Sequence, residues 1–363
     1  RLQSGRASTI VGLLKSIRDY IDTLVHPSVQ HDALTASRHR AFIAPRLLGS
    51  VVALAALPRD GALLDVGTGA GAIAVVDVPV APFWGAREVR IDWRALDQLL
   101  PFVDRNVLFR HHWGYRGAGV AAKADWDAMA ATELEPRLLE LWRDAKVRRW
   151  LEPAASYGYF PARASGDSVV VFDPAAFAAG AREADLPAAA TFSFPRQRDD
   201  GSPRTRDQLC IADYFRDGSD GAYDVIALQV VTAGRKAGDH AQALMARGEY
   251  DLGLKVHGVA SAVAEGFAEW INGRVRRELG VGAPRGRRYS WGYGACPDVA
   301  GQAPLPELLP AVTRSMGMTL TAGFQWDPEQ STAAFIVHHP QATYFHVLDR
   351  PGDAPLDGVE GEG

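Results

Sequence analysis

Apolar residues in this chain recur with two different periods, and the change of period divides it. Ile10, Leu13, Leu14, Ile17, Ile21 and Leu24 follow helical spacing, so residues 1 to about 57 read as helical. Ala62–Asp65 then reads as a strand entering a glycine-rich turn. From Val78 onward the pattern differs. Leu96–Phe109 and Leu134–Trp150 carry apolar residues at helical intervals, and strand-like runs follow at Ser156–Phe160, Val169–Phe172, Thr191–Phe194, Leu209–Phe215 and Val225–Thr232. Asp199–Pro203 reads as a hairpin loop. Val259, Val263, Phe267, Ile271, Val275 and Leu279 recur every four residues and predict a long helix over about Val256–Leu279. Leu305–Met316 reads as a further helix, and Ala333–His338 with Tyr344–Leu348 closes a sheet. Strands cluster without regular alternation with helices, so the expected class is α+β, a twisted antiparallel sheet with flanking helices. Residues 351–363, rich in Gly, Asp and Glu, read as a disordered tail.

Composition narrows the function classes. A formal charge of −4 over 363 residues gives no reason to expect a nucleic-acid or membrane-surface partner. No apolar run is long enough to cross a bilayer. The two cysteines, Cys210 and Cys296, lie far apart, and such sparse use fits a reducing, cytoplasmic setting. Cys210 sits in an apolar run and reads as a buried thiol. The adjacent pairs His111-His112 and His338-His339 point apart on a strand, and no spacing of Cys, His, Asp and Glu suggests a metal site.

The most specific chemistry lies in Arg288-Tyr-Ser-Trp-Gly292-Tyr293-Gly294-Ala295-Cys296-Pro297-Asp298. Arg288 offers a planar fork suited to a carboxylate. Gly292 and Gly294 let a ligand approach the main chain, Pro297 fixes the exit, and Tyr293 adds an aromatic face. Such a turn suits a small zwitterion.

This loop resembles the S-adenosylmethionine-binding loop of the activation domain of cobalamin-dependent methionine synthase. Further segments resemble that domain in its own order. They are Pro82-Phe-Trp-Gly85, Phe102–Phe109 with Trp113, Ser156–Pro161, Arg206–Phe215, Leu228–Gly234, Ala264–Trp270 and His339–Phe345. The resemblance covers about residues 76 to 350 and implies three parts: an N-terminal segment 1–75, the activation domain 76–350 and the tail 351–363. It implies contacts to S-adenosylmethionine from Asp104, Glu265, Arg288, Ala295 or its neighbours, and Tyr344. With the turn itself, the candidate site is Asp104, Glu265, Arg288, Gly292, Tyr293, Gly294, Ala295 and Tyr344. One departure is Gly294, where the commoner motif has proline.

Blander readings stand beside these. Asp104 is also placed to cap a helix. Glu265 and Glu269, one turn apart, have Arg274 as an alternative partner. Arg288 sits in a basic run with Arg285 and Arg287, and Tyr344 alternates with apolar neighbours as a core residue would.

The resemblance implies a rescue reaction. Cobalamin stranded as cob(II)alamin accepts one electron from a flavodoxin-like donor, and S-adenosylmethionine supplies a methyl group to the reduced cobalt. The cobalt is the nucleophile, so no general base is expected. The cobalamin would sit on a cobalamin-binding module or separate protein, since no D-x-H-x-x-G loop occurs here. The chain would act as part of a larger protein or in trans, and would not make methionine alone. Two other readings remain open. Asp65-Val-Gly67-Thr-Gly69-Ala-Gly71 resembles the first motif of Rossmann-type S-adenosylmethionine-dependent methyltransferases. Pro79 and Pro82 interrupt the helix that should follow it. The remaining alternative is a non-catalytic module that docks on a cobalamin domain without binding the ligand.

Overall fold

A computed structural model describes residues 76–115, 123–198, 207–282 and 285–347. The helical reading of residues 1–57, the Asp65–Gly71 turn, the Asp199–Pro203 hairpin loop and the 351–363 tail lie outside the described residues.

The architecture is built on one strand. β5 (Asp224–Thr232) is buried along its entire length. Val225, Ala227 and Val231 face one core, while Ile226, Leu228 and Val230 face another. A strand covered on both faces reads as a continuous apolar run rather than an alternation. Gln229 is the polar exception on the first side, and its amide N–H donates to the Ala268 carbonyl at 3.2 Å.

Around β5 the other strands assemble in antiparallel register. They are β1 (Gly85–Arg90), β2 (Ala154–Ser165), β3 (Ser168–Phe172), β4 (Ala188–Ser193), β6 (Arg287–Ser290) and β9 (Ser331–Val337). Their order is β4-β3-β2-β5-β9-β6, with β1 also pairing β2. β7 (Thr319–Leu320) and β8 (Trp326–Asp327) form a separate small ribbon. β1 pairs with β2 up to Tyr159 and β3 pairs with it from Ala162 onward, so Pro161 falls in the gap between their registers. There its missing N–H costs no bond to either strand.

Four helices cover the first face or its margin: α1 (Lys123–Met129), α2 (Glu135–Arg148), α3 (Arg235–Ala246) and α4 (Tyr250–Glu278). α4 buries Val256, Val259, Val263, Phe267, Ile271 and Val275, the four-residue repeat expected of it. Gly258, Ala262 and Gly266 add a second row, one turn apart. A Cβ at Gly266 would sit 2.9 Å from the Phe102 carbonyl oxygen, and one at Gly258 would sit 2.9 Å from His112 Cβ. Residues 96–113 therefore lie directly on the helix backbone, and Trp113 Nε1 donates to the Lys255 carbonyl at 3.1 Å.

The C-terminal end of α4 is tied to the sheet through Glu278. Tyr157 and Tyr159 donate their hydroxyls to its carboxylate at 3.1 and 2.8 Å, and Arg274 Nε donates at 2.8 Å. Burial alone would raise the Glu278 carboxyl, but the hydrogen bonds from Arg274, Tyr159 and Tyr157 outweigh it and hold it below its ordinary value. Burial, then Glu278, pushes the Tyr157 phenol up to about 12, so it stays a donor.

Four expected elements take another form. Leu209–Phe215 is not a strand but contains a short 3-10 helix, Ile211–Tyr214. The Asp213 carboxylate accepts from the Cys210 backbone N–H at 2.9 Å and is held by Arg196 at 2.7 Å, closing the chain on itself. The Tyr344–Leu348 strand is absent through Val347, because both edges of β9 are already taken by β5 and β6. Leu305–Met316 breaks into Leu305–Leu308 and Ala311–Arg314 at Pro310. Leu96–Phe109 divides into short turns around Pro101 and the extended Val103.

Gly266→Ala should destabilise the domain by roughly 1–3 kcal/mol through overpacking. Gly282→Ala, where nothing lies within 4 Å of the added carbon, should be near neutral in the same urea titration. The lowered Glu278 carboxyl adds stability above its ordinary 4.5, lost as pH falls through the folded value. Glu278→Gln should therefore be less stable near neutrality and lose less stability on acidification, as read from urea midpoints against pH.

Candidate functional site

The site forms where the edge strand β6 passes α4. In the β6–β9 register Arg288 pairs with Ile336 and Tyr289 with Phe335. Ile336 belongs to the helix-side core and Phe335 to the opposite one. Strand alternation therefore turns Arg288 toward α4 and Tyr289 away from it.

On α4, Glu265 and Glu269 stand one turn apart and meet that guanidinium. Arg288 Nε donates to Glu269 at 2.6 Å, and its terminal nitrogens reach Glu265 at 3.3 Å and the Ser290 hydroxyl at 3.4 Å. The arginine side chain is only 15 % exposed, whereas the carboxylates are 48 % and 47 % exposed. A fixed cation thus lies beneath two accessible anions. Burial would lower the Arg288 guanidinium, but Glu269 and Glu265 outweigh it and raise it above its ordinary value. Glu269 also accepts from Asn272 Nδ2 at 3.1 Å, which leaves Glu265 the less constrained of the pair. Arg274 turns instead to Glu278.

After β6 the chain enters the signature turn. Gly292 takes φ +89°, a left-handed conformation that favours glycine. Its N–H donates to the Cys296 carbonyl at 2.9 Å, and the Cys296 N–H donates back to Tyr293 at 2.9 Å. Trp291 anchors the turn against Phe335 and Phe192, with ring centroids 4.9 and 5.6 Å away. Asp298 ends it by accepting from the Ala300 N–H at 2.9 Å. Ala295 is buried, while Tyr293 is 64 % exposed and Tyr344 is 65 % exposed. Nearby Glu265, then burial, raises the Tyr293 phenol. Burial raises Tyr344, with Glu269 adding and Arg288 opposing. Tyr344 packs edge-on against Tyr289 at 5.7 Å, and Arg287 lies 5.9 Å over its ring.

The structure thus brings Glu265, Tyr293 and Tyr344 within electrostatic reach of Arg288, beside Gly292, Gly294 and Ala295. Asp104 stands apart from this group. Its Oδ1 accepts from the Val107 N–H at 2.9 Å as a helix cap, and nothing joins it to Arg288. Its segment still adjoins the same stretch of α4, since Phe102 packs on Gly266 beside Glu265. Two residues outside the sequence-derived set belong to the site's geometry. Glu269 holds Arg288, and His346 packs on Gly294. The i, i+4 spacing of Glu265 and Glu269 was the available signal for the first.

His112, within reach of Glu265, is lowered by burial and by His257 and His111. His338 is buried against Asp224 at 2.6 Å. Among the described residues no cluster of His, Cys, Asp and Glu has the makings of a metal site, and no helix is long and apolar enough to cross a membrane.

An antiparallel sheet covered on both faces, with an ion-paired arginine at its edge, defines an α+β domain whose singular chemistry lies in one turn. The sequence model described as "Vitamin B12 dependent methionine synthase, activation domain" matches residues 95–353. Methionine synthase of Mycobacterium tuberculosis (strain ATCC 25618 / H37Rv) is 34% identical over 299 residues, 76% of this chain and 24% of that protein. Methionine synthase of Mycobacterium leprae (strain TN) is 33% identical over 298 residues, 75% of this chain and 23% of that protein. The crystal structure of the MetH reactivation domain bound to AdoHcy superposes with a TM-score of 0.62 at 24% identity, covering 76% of this chain and 85% of that one. At that identity the likeness speaks for the fold. The chain belongs to the family of activation domains of vitamin B12-dependent methionine synthases. It spans about a quarter of the length of these methionine synthases.

Both thiols are sealed. Cys296 Sγ donates to the Ser290 carbonyl at 3.0 Å, and burial pushes its thiol up to about 12. Burial likewise pushes Cys210 up to about 11. Neither thiol should react with a disulfide reagent in the folded protein at mildly alkaline pH, and both should react in denaturant.

Proposed function

We propose that this chain binds S-adenosylmethionine at the Arg288 turn and presents its methyl group to cobalamin held by a cobalamin-binding module of methionine synthase. That module, and a flavodoxin-like donor of the single electron, are its proposed partners. The observation that carries the reading is Arg288 clamped beneath Glu265 and Glu269, beside an open glycine turn with two exposed tyrosines.

The residues suit this ligand. One buried cation against two half-exposed anions leaves the immediate site net negative. S-adenosylmethionine carries a carboxylate, an ammonium and a sulfonium, and so is net positive. The terminal nitrogen of Arg288 that, among the described residues, is held by Ser290 alone at 3.4 Å is the part of the fork left for the carboxylate. Glu265, the less constrained acid, is the partner for the ammonium. Tyr293 and Tyr344 offer faces to the base and to the sulfonium. The N–H groups of Gly294 and Ala295 have no acceptor among the described residues and border the same space. Asp104 takes part through its second carboxylate oxygen, since the first is used as a cap.

When bound, S-adenosylmethionine supplies a methyl group on a sulfonium leaving group. This chain's residues hold the donor in line and keep water from it, which is work for a clamp and flat walls rather than a base. The reading is in keeping with AdoHcy, the demethylated form, being bound in the MetH reactivation domain.

Calorimetric titration of S-adenosylmethionine into the full chain tests it. Arg288→Ala should weaken binding roughly 10- to 100-fold, the worth of charge-assisted hydrogen bonds. Gly69→Ala should leave it unchanged. Binding lost only in Gly69→Ala would move the site to the Asp65–Gly71 turn, and no binding by any version would leave a docking module.

A further inference from the structure

Gly294 is glycine for reasons of space. Its φ is not among the positive values, so backbone conformation does not demand it. A Cβ built there would fall 2.4 Å from His346 Nδ1, 2.7 Å from Cε1 and 2.8 Å from Cγ. The imidazole occupies the room that any other residue at 294 would fill.

His346 is held there by its backbone. The Val347 N–H donates to the Gly294 carbonyl at 3.0 Å, and Gln197 Nε2 donates to the His346 carbonyl at 2.9 Å. One turn of strand earlier, the Tyr289 hydroxyl donates to the Thr343 carbonyl at 2.6 Å. Phe345 and Val347 are buried, whereas Tyr344 and His346 are exposed. Burial alternates over residues 344–347, which puts Tyr344 and His346 on the same, exposed side. The ring nitrogens of His346 have no partner among the described residues.

We infer that His346 is a ligand-contacting residue for the nucleoside end of S-adenosylmethionine. The inference rests on the function proposed above. Arg288, Glu265 and Glu269 account for the charged amino-acid end. Tyr293, Tyr344 and His346 are then the flat, exposed groups around the turn, and of these only the imidazole brings both a donor and an acceptor nitrogen. Adenine and ribose present the matching edges and hydroxyls. Glycine at 294 serves this purpose by leaving the ring its place.

A double-variant cycle on the full chain tests the pairing. Because Gly294→Ala evicts the imidazole and His346→Ala removes it, each should raise the dissociation constant for S-adenosylmethionine about tenfold, and the double variant no further. The melting temperature without ligand should hardly move, since His346 is exposed. Unchanged affinity in His346→Ala, or additive losses in the double variant, would overturn this inference alone. Absence of binding by the unaltered chain would overturn the proposed function and this inference with it.

Discussion

Burial of β5 on both faces is the constraint from which the rest of the domain follows. A strand apolar on each side needs two covers, and the chain builds them from different material. One is the long helix α4 with its companions. The other is assembled from short helical turns and the stretch before residue 347. The two covers meet at the sheet edge formed by β6, and the candidate site lies along that seam. Arg288 faces the helical cover and Tyr289 the opposite one, so consecutive residues join the two layers.

Close approach on the helical side depends on absent side chains. Gly258 and Gly266 admit residues 96–113 to the backbone of α4, which in turn sets Asp104 near the Glu265 turn. Family membership accounts for the order of these pieces. Packing accounts for why the small residues recur one helical turn apart.

What could be read from the sequence was whatever carries a period or a fixed local spacing. The four-residue repeat of α4, the apolar run of β5 and the glycine turn after Arg288 are local patterns, and the expected α+β class with an antiparallel sheet matches the structure. Leu209–Phe215 deceived because its apolar residues suit a strand, while one internal carboxylate, Asp213, folds the segment back on itself. The strand expected near Tyr344 failed for a reason no local pattern carries: β9 had both edges filled. Asp104 has two readings in sequence, and its cap is what the structure makes visible. The contact of Gly294 with His346 joins distant positions, and neither residue signals the other.

The attachment of β6 has a further consequence. Among the described residues this edge strand is held by one neighbour over Arg287–Ser290. Because side chains alternate, a one-residue slip would turn Arg287 or Tyr289 toward α4 and leave Glu265 and Glu269 facing the wrong group. Strand register is therefore itself a determinant of the site's electrostatics. Tyr289, stacked on Phe335 and bonded to the Thr343 carbonyl, acts as the registration mark, and damage to it would misplace charge without altering any charged residue.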